Sequence, residues 1–246
     1  MIDKVTSRRS VIRACIANAI ALTIPTPLVS WMAELELNDC RSALDHVMVG
    51  ASDLDAGIAW FEKLTGVRPV IGGSHPGVGT RNAIVSIGTR QYLEILAPDP
   101  AQHDGTARIL PFLKSLTSPR PIAWGARANN IEEMQHKAQA AGIQYRAPTP
   151  GSRTAPDGRV FEWVNMLPAD FPNRLLPFFI QWSVNSPHPS EDAPRGCTLA
   201  GLRFESPNTD LETDCFRKLG LRGDIRTGAR PRVLVTLDTR KGRVEL

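Results

Sequence analysis

Two strand-like segments carry the side chains in this chain that are best suited to chemistry. Residues 44–49 contain His46, and residues 90–96 contain Glu94. An imidazole and a carboxylate are ordinary ligands of divalent metal ions, and both also carry protons in enzymes. The pair therefore indicates a site built between two strands, with one candidate metal ligand in each.

The residues between these segments predict the elements that position the pair. An Asp-rich turn at 52–55 precedes a helical pattern at 56–64, and Gly66 ends that pattern. Residues 82–87 and 92–96 alternate in polarity on either side of a Gly-Thr turn, which favours an antiparallel pair of strands. The order strand, helix, strand, strand, strand defines a first βαβββ module over residues 44–98.

The same order of patterns returns later in the chain. Residues 99–120 are predicted to form a linker with one short helix, and a second module is predicted over residues 121–182. A stretch rich in Pro, Ser and charge at 185–196 is interpreted as another linker. Residues 199–208 line up with 44–53, and residues 243–246 with 92–95, so a third, shorter unit packed on the domain is expected over 197–246.

In this order, the segments from Leu44 to Leu246 resemble the vicinal-oxygen-chelate superfamily and, within it, the glyoxalase-like proteins (glyoxalase, bleomycin resistance and dioxygenase type). The resemblance implies an α+β fold in which βαβββ modules form a curled, half-open, barrel-like mixed sheet with helices outside. It places a glyoxalase-like domain of two modules over residues 42–184. The segments that carry it are residues 44–69, 75–100, 150–158, 176–182 and 237–246.

The resemblance also implies that His46 and Glu94 are metal ligands and catalytic residues, with one divalent ion (Zn, Ni, Mn or Fe) as cofactor. Such an ion would act as a Lewis acid on a pair of substrate oxygens. The second module departs from the pattern, since the matching positions fall near Ala123 or Trp124 and near Ile180 or Gln181. The third unit places Gly201 opposite His46 and retains Glu245. Two strong ligands remain, and the alternative is a metal-free His46 that hydrogen-bonds Glu94.

Five further residues are expected to bind substrate on the grounds of the same resemblance. Two arginines in turns would hold an anionic group, since a guanidinium forks onto carboxylate or phosphate. A solvated Arg81, and an Arg153 that pairs with Asp157, are the structural alternatives. The predicted substrate-binding residues are Arg81, Asn82, Arg153, Gln181 and Trp182.

Two functions from different classes follow. The first is a glyoxalase-like enzyme, a lyase or isomerase, that acts on a small oxygenated, anionic molecule by metal-assisted or carboxylate and histidine proton transfer. The second is a non-catalytic small-molecule binding or sequestering protein on the same fold, which the missing ligands of the second module favour. In both cases the partner is a small molecule, and a homodimer is compatible with either.

Composition and motifs exclude several other classes. The chain has 246 residues and a formal charge of +4, but its 29 basic and 25 acidic residues are interspersed, so no nucleic-acid-binding patch is expected. The four cysteines have neither CxxC spacing nor histidines at zinc-ligand spacing. No G-x-S-x-G motif is present, which leaves nucleophilic catalysis unsupported.

Residues 1–41 are set apart from the fold as a signal-like or extraneous segment. Arg8 and Arg9 precede an apolar run at 14–22, which resembles a twin-arginine export signal to the periplasm. The run is interrupted by polar residues and prolines within the ~20 residues that a membrane span needs, so no stable membrane insertion is expected. No small-residue cleavage pattern occurs near residue 31. Translation from Met32 is the alternative, and it favours a cytoplasmic protein.

Overall fold

The computed structural model describes residues 37–103, 105, 107–172 and 175–246. The twin-arginine pattern and the alternative start at Met32 lie outside the described residues. Among the residues described, no helix is long and apolar enough to cross a membrane.

The first module contains the elements that carry His46 and Glu94. Its long helix begins at Asp53, whose side chain accepts a hydrogen bond from the backbone N–H of Ala56, and ends at Gly66 with a φ of 74°. These two caps explain why the helical pattern stops on both sides. The elements are β1 (Asn38–Asp39), α1 (Cys40–Ala43), β2 (Leu44–Gly50), α2 (Leu54–Thr65), β3 (Val70–His75), β4 (Thr80–Gly88) and β5 (Gln91–Pro98).

The second module repeats this arrangement after a short connecting helix. Asn130 caps its helix by accepting hydrogen bonds from the backbone N–H groups of Glu132 and Glu133. The elements are α3 (Leu110–Lys114), β6 (Arg120–Arg127), α4 (Ile131–Ala140), β7 (Thr149–Thr154), β8 (Val160–Met166) and β9 (Phe178–Trp182).

The eight strands of the two modules close into one barrel in the order β2-β5-β4-β3-β7-β8-β9-β6. On one side β2 pairs antiparallel with β6, with His46 opposite Gly125. On the other side β3 and β7 share a single residue pair, Ser74 and Thr154. The predicted α+β class and barrel-like mixed sheet are confirmed, and the half-open side expected from sequence is closed by this one pair.

Strand alternation divides the side chains between the barrel interior and the helix-covered exterior. On β2 and β5, Val47, Val49, Leu93 and Ile95 are fully buried in the main hydrophobic core. The α2 residues Leu54, Ile58 and Phe61 belong to the same core. The intervening residues of both strands, His46 and Glu94 among them, therefore line the interior.

Residues 197–246 form a separate four-stranded sheet with the order β12-β10-β13-β14. β10, the first of these strands along the chain, pairs antiparallel with β13 and parallel with β12. In the first module, by contrast, the first strand β2 pairs with the last strand β5. Thus the four strands of this sheet and α5 repeat the order βαβββ with different strand pairing, and the additional two-residue strand β11 pairs with β1 instead. The elements are β10 (Cys197–Ser206), α5 (Thr209–Lys218), β11 (Leu221–Arg222), β12 (Asp224–Thr227), β13 (Arg232–Thr239) and β14 (Gly242–Glu245).

This sheet packs on the outside of the barrel through aromatic contacts. The ring of Trp124 on β6 lies 5.3 Å from that of Phe204 and 5.9 Å from that of Phe216, measured between centroids. Phe204 and Phe216 are themselves 5.1 Å apart. All three side chains are fully buried, so this contact contributes strongly to the shared core.

Candidate functional site

The barrel encloses a cavity of about 690 Å³. Its wall combines a polar set that comes mainly from the first module with aromatic side chains that come mainly from the second. This volume and this mixture are typical of small-molecule sites. The polar residues include His46, His75, Asn82, Tyr92, Glu94 and Arg153, and the aromatic ones include Trp163, Phe171, Phe178 and Trp182.

His46 and Glu94 lie side by side on the cavity wall because β2 and β5 pair in parallel, with His46 opposite Tyr92 and Met48 opposite Glu94. Nε2 of His46 is 3.6 Å from Oε2 of Glu94. Both residues are buried, with 3% and 5% of their surface exposed. A buried imidazole and carboxylate this close can pass a proton between them or to a bound molecule.

Two more side chains contact the carboxylate of Glu94. Asn82 donates a hydrogen bond from Nδ2 to Oε1 of Glu94 over 2.7 Å. His75 places Nε2 3.9 Å from the same oxygen, and its Nδ1 is hydrogen-bonded to the hydroxyl of Thr80 at 2.8 Å. Glu94 is therefore held from one side by an amide and flanked by two imidazoles.

The orientation of His46 is fixed by Asp45, which is completely buried. Nδ1 of His46 lies 2.8 Å from Oδ1 of Asp45. Burial alone would raise the pKa of Asp45, but hydrogen bonds from His188 and His46 hold it well below its ordinary value. Because an ionised carboxylate only accepts hydrogen bonds, Nδ1 of His46 carries the hydrogen. Nε2 of His46 lies on the side of Glu94.

Burial also sets the charge state of two neighbours in the cavity wall. Burial lowers the pKa of His75 and so favours its neutral imidazole, although Glu94 acts in the opposite direction. It raises the pKa of Tyr92 well above its ordinary value, and the nearby Asp45 and Glu94 act in the same direction. The ring of Tyr92 stacks on that of His46 with centroids 4.4 Å apart. Tyr92 is therefore a neutral phenol that packs against the histidine.

Arg153 is a buried cation of the cavity wall, with only 3% of its surface exposed, and Arg108 and Arg146 also line the cavity. Nη1 of Arg153 donates to the carbonyl oxygen of Gly72, and its guanidinium lies 4.1 Å from the ring centroid of Phe161. Its Nη2 is buried and has no hydrogen-bond partner, as is also true of Oδ1 of Asn82. Leaving such groups unpaired is costly, so these two atoms are natural contacts for a bound polar molecule.

The structure brings together five of the seven site residues expected from sequence, namely His46, Asn82, Glu94, Arg153 and Trp182. Arg81 lies off the cavity wall, with Nη2 3.9 Å from Oδ2 of Asp55. Gln181 is also absent from the wall, because its Oε1 accepts a hydrogen bond of 2.7 Å from the backbone N–H of Ile131. Arg81 and Gln181 are therefore removed from the candidate site.

The structural alternatives weighed for His46 and Arg153 can also be compared with the contacts. His46 is indeed beside Glu94, but its short hydrogen bond goes to Asp45. The side chain that binds Asp157 is that of Arg159, not Arg153, and it does so over 2.7 Å. The turn is thus fixed without Arg153.

Sequence reasoning missed Asp45, His75, Tyr92 and His188 as contributors. Asp45 directly precedes His46 and would ordinarily point to the other face of a strand. A register shift in the β2–β6 ladder between Leu44 and His46 brings it beside the imidazole. His188 lies in residues 185–196, which look like a plain linker in sequence. The Pro residues on either side of it are its only local signal.

The family resemblance implies a divalent ion, which would need protein ligands in the cavity wall. Over the ranges that the structure describes, no three His, Cys, Asp or Glu side chains are grouped so that they would hold a metal ion. At the corresponding positions of the second module, Ala123, Trp124 and Ile180 supply no ligand atoms and Gln181 is engaged by a helix end. His46 and His75 approach different oxygens of Glu94, at 3.6 and 3.9 Å, and these three side chains are not grouped as the three protein ligands usual at a catalytic metal. The residues present do not fit a tightly held ion.

Comparisons with known proteins agree with this architecture. A crystal structure of a hypothetical protein from Staphylococcus aureus superposes with a TM-score of 0.61 at 15% identity, covering 82% of this chain and 97% of the other. Methylmalonyl-CoA epimerase from Mycobacterium tuberculosis gives 0.43 at 20% identity, covering 58% and 89%. A hypothetical protein from Bacillus halodurans gives 0.44 at 17%, covering 58% and 96%.

The likeness to the Staphylococcus aureus protein shows the fold alone, since the identity is low. No curated protein matches the chain. The family model described as a glyoxalase-like domain matches residues 44–220, which is well over half of the sequence. The chain belongs to the glyoxalase-like domain family.

Proposed function

We propose that this protein is a glyoxalase-like enzyme that transfers a proton at a carbon next to a carbonyl group, in a small oxygenated molecule that carries a carboxylate. The observation that carries the proposal is the Glu94 and His46 pair on the cavity wall, with Nε2 and Oε2 3.6 Å apart. Reactions of this type are isomerisations or, when the intermediate expels a neighbouring group, lyase reactions.

Glu94 is the general base in this proposal. It takes the carbon-bound proton; the electron pair of that C–H bond forms the C=C bond of an enolate, and the π pair of the carbonyl moves onto its oxygen. His46 is the second proton carrier: in this proposal its Nε2, which lies beside Glu94, carries no hydrogen and accepts the proton from it. Return of a proton to the carbon completes an isomerisation, and both groups regain their starting states.

The substrate carboxylate is assigned to Arg153. Nη2 of Arg153 is buried without a partner, so an anionic oxygen there would restore a hydrogen bond and neutralise the charge. Oδ1 of Asn82, which is also unpaired, suits a substrate hydroxyl or amide donor. The wall of Trp163, Phe178 and Trp182 suits an apolar arm.

The resemblance also makes a divalent ion a candidate cofactor, with His46 and Glu94 as its protein ligands. No step of the proposed reaction is routed through such an ion. Metal content is measured separately, on protein purified without chelator or metal-affinity resin, in wild type, His46→Ala and Glu94→Ala.

The experiment has two stages, because binding and chemistry are separable. Phenylpyruvate and aliphatic 2-oxo acids are first titrated against tryptophan fluorescence, since Trp163 and Trp182 line the cavity. Acids that bind are then incubated with the protein in D₂O, and loss of the proton signal beside the ketone is followed by NMR. The expected result is exchange above the uncatalysed rate, lost in Glu94→Gln and retained in the surface control Glu62→Gln, whose side chain is 41% exposed.

The second candidate function, a binding or sequestering protein, is favoured by the aromatic wall of the cavity. It predicts tight binding of the acids with no exchange above background in wild type. That outcome would overturn the proposed proton transfer and leave ligand capture as the function.

A further inference from the structure

Residues 183–196, which connect β9 to β10, lie against the interior of the barrel. The backbone N–H of Ser86 donates to the carbonyl of Pro194, and that of Glu162 donates to the hydroxyl of Ser186. Ala193 is buried in a small apolar cluster with Ile84 and Tyr92. The connection is therefore part of the barrel packing.

His188 is the polar centre of this segment, and only 1% of its surface is exposed. The backbone N–H of Ser190 donates to Nδ1 of His188 over 3.3 Å, and the Ser190 hydroxyl lies 2.8 Å from the same atom. A backbone N–H is only a donor, so Nδ1 is an acceptor and the ring hydrogen is on Nε2. His188 therefore donates from Nε2 to Oδ2 of Asp45 over 3.2 Å.

Three donors converge on the buried carboxylate of Asp45. Trp182 donates from Nε1 to Oδ2 over 3.0 Å, beside the bond from His188. The remaining oxygen, Oδ1, accepts from Nδ1 of His46 over 2.8 Å. With Oδ2 occupied by two donors, Oδ1 is left for His46, and the carboxylate cannot turn without losing a bond at each end.

We propose that His188 is a positioning residue for His46, acting through Asp45 to hold the imidazole in the tautomer that carries its hydrogen on Nδ1. His188 does not line the 690 Å³ cavity and so does not touch the bound molecule. It acts on the site only through the carboxylate. This assignment also gives the segment between β9 and β10 a role in the chemistry.

The proposal rests on the proposed function in one respect, the need for an unprotonated Nε2. If the hydrogen moves to Nε2, that atom donates to Glu94 and can no longer accept a proton from it. The proton transfer then slows while binding is unchanged. Loss of an outer carboxylate partner of a functional histidine typically costs on the order of 10- to 100-fold.

The test compares three variants of the full chain. His188→Leu removes the donor to Asp45, His188→Gln keeps a side-chain amide donor as a rescue, and His136→Leu is the control at an exposed histidine of α4. The tautomer of His46 is read from ¹⁵N shifts and two-bond ¹H–¹⁵N couplings of histidine-labelled protein. The chain has five histidines, so assignment by single substitutions is practicable.

We expect Nδ1–H in wild type, His136→Leu and His188→Gln, and a shift toward Nε2–H in His188→Leu. The exchange rate with a bound 2-oxo acid should fall about 10- to 100-fold in His188→Leu at unchanged Kd. An unchanged tautomer in folded His188→Leu overturns the positioning role. If that variant does not fold, Asp45→Asn provides the same measurement, and a wild-type tautomer there overturns it.

The two proposals fail separately. A tautomer that moves as expected, in a protein whose wild type catalyses no exchange with any bound acid, refutes the proton-transfer function and upholds the positioning by His188. Exchange that is present in wild type and undiminished in folded His188→Leu refutes the positioning.

Discussion

Replacing Arg153 by methionine separates the binding of the carboxylate from the stability of the barrel. Methionine retains an unbranched apolar chain but removes the guanidinium, which is 3% exposed. The variant loses the hydrogen bond to the carbonyl of Gly72 and the contact with the ring of Phe161 at 4.1 Å. It also removes the buried, unpaired Nη2.

These terms largely cancel in the free energy of unfolding. A hydrogen bond from a charged group contributes about 1.5–3 kcal/mol, and a desolvated cation–π contact about 2 kcal/mol. Relief of an unpaired buried donor returns about 1–3 kcal/mol, and the cost of burying the charge disappears as well. We therefore expect Arg153→Met to change stability by no more than about 2 kcal/mol in urea unfolding.

The loss of affinity for the ligand carboxylate has no such compensation. A charge-assisted hydrogen bond of about 1.5–3 kcal/mol corresponds to an affinity loss on the order of 10- to 100-fold for phenylpyruvate. Its methyl ester, which lacks the anionic oxygen, should bind wild type and Arg153→Met equally. Both ligands are measured by tryptophan fluorescence. The assignment of Arg153 is refuted if the acid binds the folded variant as it binds wild type, or if wild type does not distinguish acid from ester.

Three further outcomes are expected. Glu94→Gln should keep the Kd for the acid within a few-fold of wild type. It should lower the exchange rate, measured by NMR in D₂O, by at least about 100-fold, which is the usual contribution of a general base. Equal rates in variant and wild type would contradict the base assignment. Because the folded pKa of Asp45 lies below its ordinary 3.8, its contribution to stability is present above that value and is lost as pH falls below it. The free energy of unfolding, measured with urea at a series of acidic pH values, should therefore fall more steeply with decreasing pH in wild type than in Asp45→Asn. Parallel curves would contradict this. Metal analysis should give well under one divalent ion per chain in wild type and in His46→Ala. Near-stoichiometric metal in wild type that is lost in His46→Ala would instead support a metal site at His46.

The sequence predicts the fold well because hydrophobic periodicity and the caps act locally. The antiparallel pairing of β4 with β5 follows from alternation and from the turn after Gly88, and Asp53 and Gly66 mark the ends of the helix of the first module. The closing of the barrel could not be predicted in this way. It depends on one residue pair between Ser74 and Thr154, which are far apart in the chain.

The candidate site was only partly predictable for a related reason. His46 and Glu94 lie in strong strand patterns, and the family resemblance implies the neighbouring strands on which the structure places them. Asp45 could not be predicted because the alternation of side chains along a strand puts it on the face opposite His46. Only the register shift in β2 brings its carboxylate to the imidazole. His188 lies in a segment without periodicity, where the prolines on either side of it do not by themselves predict burial.

The two modules contribute unequally to the cavity. The first supplies the groups that can move a proton, His46, Glu94 and His75, whereas the second supplies Arg153 and the aromatic wall. The residue of β6 opposite His46 is Gly125, where an added Cβ would lie 2.7 Å from the ring of Phe178 and 3.3 Å from that of His46. The second module could therefore not supply a side chain there without displacing both rings. At this seam the second module packs the imidazole, and in the proposed reaction the first module carries the proton transfer while the second holds the substrate.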